Sequence, residues 1–166
     1  MRLIKLAVIS FIVLGLLITA LSSLLPSTVY VTRTINISAP KDSVFATINN
    51  LEKWKNWYAN LDSATIVYGA VTAGPSASMK ADKTTITINS TTPDKITVTW
   101  QTADNRPLTG SFSFRKDSTD SETSVQWEFV IPVKWYPWEK FASIVSDKAL
   151  GGVMERSLDK LKAIWQ

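Results

Sequence analysis

The plainest pattern in the chain is a run with no polar period at all. Leu6 to Leu25 reads LAVISFIVLGLLITALSSLL, twenty residues without a charge. As a helix rising 1.5 Å per residue it spans roughly 30 Å, the hydrocarbon thickness of a bilayer. Ser10, Thr19, Ser22 and Ser23 fit such a helix because their hydroxyls can bond to the preceding turn. Pro26 lacks an N–H and disfavours helix at Leu25, so it predicts the end of the segment. Arg2 and Lys5 precede the run, and the next basic residue is Arg33. The positive-inside rule then places the N-terminus in the cytoplasm and everything after the helix outside it, periplasmic in a Gram-negative cell. A cleaved signal peptide, with Ala20 and Ser22 as small residues at the cut, is the competing reading. The apolar stretch exceeds the about 7–15 residues usual for that role. The expectation is a single-pass anchor over residues 1–28 and one domain over 29–166.

Beyond the anchor the period falls to two. Val29, Val31, Ile35 and Ile37 alternate with Tyr30, Thr32, Thr34, Asn36 and Ser38, which predicts a half-buried strand. Arg33 falls on the apolar parity of that strand. It either reaches solvent from the strand's start or turns toward an interior carboxylate. Ala39-Pro40 breaks the strand, Pro40 suits the first turn of a helix, and Val44, Phe45, Ile48 and Leu51 follow at helical spacing. After Asn49-Asn50, a second short amphipathic segment from Leu51 to Tyr58 puts Trp54 and Trp57 on one face.

Six further strands are predicted at Ala64–Tyr68, Ser76–Ala81, Thr84–Asn89, Lys95–Thr102, Leu108–Lys116 and Thr123–Val133. Gly69, Gly74-Pro75, Pro93-Asp94, Asn105-Arg106-Pro107 and 117–121 supply the turns. Ile96, Val98 and Trp100 share a face, as do Leu108, Gly110, Phe112 and Phe114, and then Val125, Trp127, Phe129, Ile131 and Val133. The opposite faces are Thr, Ser, Gln, Lys and Glu, so an antiparallel sheet with one dry and one wet side is expected. Leu150, Met154, Leu158, Leu161 and Trp165 recur at helical spacing and supply the cover for the dry side. Gly151-Gly152 inside that helix costs propensity, which predicts a close backbone approach or a kink there.

Composition narrows the chemistry. The 166 residues contain no Cys and no His. This excludes disulfides and thiolate chemistry, and removes the commonest general base and zinc ligand. The formal charge is +4; setting aside Arg2 and Lys5 of the 18 basic residues leaves 16 against 14 acidic ones. These charges are scattered, so no nucleic-acid partner is expected. Neither a metal nor a cofactor is expected. The candidates for acid–base chemistry are Tyr68, Asp104 and Glu128, and none has a partner at suggestive spacing.

Arg33-Thr-Ile-Asn-Ile-Ser-Ala-Pro40, Val44-Phe45 and Trp54-Lys-Asn-Trp57 resemble the opening of the polyketide cyclase/dehydrase and lipid transport superfamily, also called SRPBCC or START-like. Asp147-Lys-Ala-Leu-Gly151, Glu155 and Leu158-Asp-Lys-Leu-Lys162 are similar to its terminal helix. The resemblance spans residues 29–166. It implies an α+β helix-grip fold, a curved seven-stranded antiparallel sheet around a long C-terminal helix, here preceded by one transmembrane helix. It also implies a deep apolar cavity between sheet and helix. Trp100, Phe112, Phe114, Trp127 and Phe129 would form its wall, with Leu150 and Met154 on the lid. The expected function is a membrane-anchored, non-catalytic module that binds a lipid or other hydrophobic small molecule. The alternatives are a structural or interaction domain with a filled core, or an enzyme of the cyclase or aromatase type. Trp135, Tyr136 and Trp138 form an aromatic segment suited to the membrane interface.

Overall fold

The computed structural model describes residues 2–24, 28–103, 106–117, 121–133 and 137–166, with the side chains of residues 2, 3, 23 and 137–147 outside that description. The apolar run forms helix α1, Arg2–Ser23. From Ile4 to Ser22 it is long and apolar enough to cross a membrane. Its large side chains are exposed along its length, Phe11 by 80%. The Thr19 hydroxyl donates to the Gly15 carbonyl at 2.8 Å, so a polar group in this segment is satisfied within the helix.

Seven strands follow: β1 (Thr28–Ile37), β2 (Ile66–Tyr68), β3 (Ser78–Ala81), β4 (Thr84–Thr92), β5 (Lys95–Thr102), β6 (Leu108–Lys116) and β7 (Thr123–Pro132). They form one antiparallel sheet in the order β1-β7-β6-β5-β4-β3-β2. Consecutive strands pair from β2 to β7, and β1 closes on β7 from Thr28↔Pro132 to Ile37↔Thr123. The fold is α+β and of the helix-grip type. β4 runs three residues beyond the Thr84–Asn89 read from alternation, because the register shifts between Ile88 and Ser90. The bulge leaves Asn89 as the extra residue and inverts the parity after it, which hides the rest of the strand from a period-two pattern.

Helix α2 (Lys41–Ile48) starts after Pro40 and ends at Asn49. Asn50 then caps a 3-10 turn over Leu51–Asn56, its side-chain oxygen accepting the Glu52 N–H at 2.9 Å. Residues three apart eclipse in 3-10 geometry, so Trp54 and Trp57 point the same way, and both are fully buried. A second 3-10 turn covers Ala59–Leu61.

Helix α3, Pro137–Ala163, lies over the apolar face of the sheet. Met154, Leu158 and Leu161 are buried by it, each stabilising the fold by roughly 1.5–3 kcal/mol relative to exposure. Buried Ser157 ties the helix to the second 3-10 turn. Its hydroxyl donates to the Val153 carbonyl at 2.7 Å and accepts the Ala59 N–H at 3.0 Å. Arg33 resolves its two readings at the helix edge. Its Nε donates to Glu155 Oε1 at 2.6 Å, and its Nη1 to the Thr32 carbonyl at 2.9 Å, with the side chain 27% exposed. A Cβ on Gly151 would come 2.2 Å from that guanidinium, so the glycine makes room for an arginine. Gly152 has nothing within 4 Å of the same position.

Candidate functional site

The apolar face of the sheet is an aromatic layer assembled by register. Phe112 lies opposite Trp127, Trp100 opposite Leu108, and Phe129 opposite Gly110. The missing side chain at Gly110 matters, because a Cβ there would meet the Phe129 ring at 2.8 Å. Trp100 and Trp127 stack with centroids 6.0 Å apart, and Phe129 packs edge-on to Trp100 at 4.8 Å.

Beneath the helices this layer is filled. Trp54 packs on Trp57, Tyr58, Trp100 and Phe112 with centroids 4.9–6.0 Å apart. The deep cavity implied by the family resemblance is thus occupied, among the described residues, by two indoles from the 3-10 turn. Toward one end of the sheet the filling stops. There a recess of about 170 Å³ is lined by Trp100, Trp127, Phe129, Leu108, Leu150 and Val153, with Tyr58, Asn60, Thr84 and Thr102 at its polar margin. It adjoins a wider cleft of about 410 Å³ that shares Tyr58, Asn60 and Thr84 and continues past Ala81 and Lys83. The recess alone is smaller than the ~300–1,000 Å³ usual for small-molecule sites. Recess and cleft share Tyr58, Asn60 and Thr84 and so lie side by side.

Of the residues singled out from sequence, Trp100, Trp127, Phe129 and Leu150 line this recess. Phe112 and Met154 are fully buried in the packed interior. Phe114 lies toward the other end of the sheet, edge-on to Phe45 of α2 at 5.3 Å, beside an open groove between Lys41 and Lys116. Among the acid–base candidates, Tyr68 sits on the edge strand β2, and Glu128 belongs to the outward parity of β7 between buried Trp127 and Phe129. Asp104 and the segment Trp135, Tyr136 and Trp138 lie outside the described side chains. No cluster of three metal-ligating side chains exists among the described residues.

Sequence reasoning passed over Tyr58, although it follows Trp54 at helical spacing and so belongs to the same buried face. Burial pushes its phenol up to about 12, against smaller lowering effects of the Asn60 side chain and the neighbouring Trp100 indole. Asn60 Nδ2 donates to the Tyr58 hydroxyl at 3.3 Å. Trp54 donates to the Ile48 carbonyl at 2.7 Å, whereas the buried indole N–H groups of Trp57, Trp100 and Trp127 have no hydrogen-bond acceptor. A buried donor left unpaired costs about 1–3 kcal/mol. The recess therefore has apolar walls, and two of the indoles in them, Trp100 and Trp127, carry buried N–H groups without an acceptor.

The fold recurs in solved structures. A protein from Nitrosospira multiformis is similar with 17% identity and a TM-score of 0.62, the match covering 84% of this chain and 96% of that one. CalU16 from Micromonospora echinospora has 12% identity and a TM-score of 0.58, over 81% and 73% of the two chains. A protein from Thermobifida fusca has 14% identity and a TM-score of 0.60, over 82% and 92%. At such identities the likeness concerns the fold. No curated protein matches the chain. The model of the family described as polyketide cyclase / dehydrase and lipid transport matches residues 28–165, the whole span from β1 to the end of α3, and the chain belongs to that family.

Proposed function

We propose that this protein is a membrane-tethered, non-catalytic binding module for a lipid or other hydrophobic small molecule. The observation that carries the reading is the recess at the end of the aromatic layer. Trp100, Trp127, Phe129 and Leu150 form its walls, and Leu108 and Val153 extend them. Trp100 and Trp127 bring broad apolar ring surfaces, suited to an aliphatic or ring portion of the bound molecule. The family description, which includes lipid transport, supports the same class of ligand. Helix α1 acts as the anchor, with the N-terminus cytoplasmic and the domain outside, on the strength of Arg2 and Lys5 before the apolar run.

The test is native mass spectrometry of the full chain released from detergent micelles after exposure to a membrane lipid extract. The expected result is a bound mass that disappears in Leu150→Trp, whose indole fills the recess. Absence of any bound mass in the unaltered protein overturns the reading. The solidly packed layer around Trp54 would then favour a structural or interaction domain.

A further inference from the structure

The strand register fixes which end of the sheet holds the recess. Thr28 pairs with Pro132, Thr109 with Val130, Trp100 with Leu108, and Thr84 with Thr102. One end of the sheet therefore collects the start of β1, the end of β7, the start of β6, the end of β5 and the start of β4. Thr84, Thr102, Leu108 and Phe129, which line the recess, all belong to this end. So does the point where the chain arrives from α1.

The connection is short. Only residues 25–27 separate Leu24 from Thr28, and four residue steps span at most roughly 14 Å. The helix is also in contact with the domain: α1 touches α3, and Ser22 in its last turns is 1% exposed. The sheet itself is about 30 Å long along ten-residue β7, so its far end lies well away from the point where the chain arrives from α1.

The ends also differ in how many charged side chains they carry. The far end gathers Lys41, Asp94, Lys95, Arg115, Lys116, Asp117 and Glu122 along two open grooves. The recess end carries Asp82, Lys83 and Arg106 among its described residues, beside Leu108 and the exposed ring of Tyr30. A tyrosine at this height suits the headgroup region.

We propose that the recess end of the sheet faces the bilayer that α1 crosses, so that an amphiphile of that bilayer reaches Trp100 and Trp127 directly from the membrane. The proposal rests on the anchor reading and is independent of the identity of the ligand. It assigns the charged far end to bulk water. It also makes the cleft running past Lys83 the path along which the headgroup of the incoming molecule trails.

The absence of cysteine makes the test direct. Lys83→Cys at the recess end and Glu122→Cys at the far end are both exposed substitutions, and each accepts one fluorophore. The full chain is reconstituted into phosphatidylcholine–phosphatidylglycerol vesicles doped with a headgroup-quencher lipid, and each sample is washed in alkaline carbonate. Retention of the protein with severalfold stronger quenching at position 83 than at 122 is the expected result. Equal quenching, or stronger quenching at 122, with the protein retained, overturns the orientation and leaves the anchor intact. Release of the protein by the wash overturns the anchor and the orientation together. Arg106→Cys provides a second recess-end position and must follow 83.

Discussion

Trp54 and Trp127 are fully buried indoles of one aromatic cluster, yet the two regions they represent are built differently. Trp54 belongs to the floor. It packs against four other rings, its N–H reaches a backbone carbonyl, and its side chain is fully buried. Trp127 belongs to the wall. It packs against five rings, Trp57, Tyr58, Trp100, Phe112 and Phe129, but its N–H has no acceptor and it also borders the recess. Around Trp54 the floor resembles an ordinary core, in which close packing and a satisfied donor both lower the free energy, while the Trp57 N–H beside it has no acceptor. The wall stops short of both conditions. The proposed binding role is therefore best tested where packing stops, at the junction of Leu150 with Trp100 and Phe129, rather than in the aromatic layer as a whole.

Substitutions can sharpen that contrast. Trp54→Ala should cost about 3–5 kcal/mol, since it opens a large cavity in the floor. Half-buried Leu150→Ala should cost only about 1–2 kcal/mol by lost burial. Denaturant unfolding of the full chain in micelles measures both, and equal costs would erase the distinction between floor and wall. Gly110→Ala should destabilise by about 1–3 kcal/mol, because its Cβ would press on the Phe129 ring and the Glu128 carbonyl. A shift in tryptophan fluorescence should accompany it, through the contact of Phe129 with Trp100.

The two lid glycines separate more finely. Gly152→Ala should stabilise by about 0.8–1 kcal/mol through helix propensity alone. Gly151→Ala gains the same propensity but pushes Arg33 off Glu155, so it should come out within about 0.5 kcal/mol of zero. If the two variants behave alike in thermal unfolding, the room made for Arg33 has no energetic meaning.

The effect that shows itself only in alkali belongs to Tyr58. Its phenol is raised from 10.0 to about 12 by burial, so the folded state holds the proton more tightly than the unfolded state. The associated stability is complete below pH 10 and is lost as pH rises from 10 to about 12. Ultraviolet absorbance of the phenolate, followed together with unfolding, should show one tyrosine titrating late. A molecule seated beside Tyr58 should delay it further.

Much of this protein was legible in the residues alone. Leu6 to Leu25 announces a helix that can cross a membrane, because an uncharged run of that length has few other uses. The strands Lys95–Thr102 and Leu108–Lys116 were read to the residue, since alternation between Ile, Val, Trp or Phe and Thr or Ser survives wherever one face is dry. The stripe Leu150–Leu161 gave the covering helix for the same reason. What the tertiary structure decided is how much of the enclosed space is empty. Trp54 and Trp57 show the same spacing whether they flank a cavity or fill it, and only the cap at Asn50 and the entry angle of the 3-10 turn send both indoles inward. Gly151 reads as a helix defect until Arg33, far off in the chain, is found lying across it. Volume and long-range approach depend on how elements meet, and a local pattern carries no record of that.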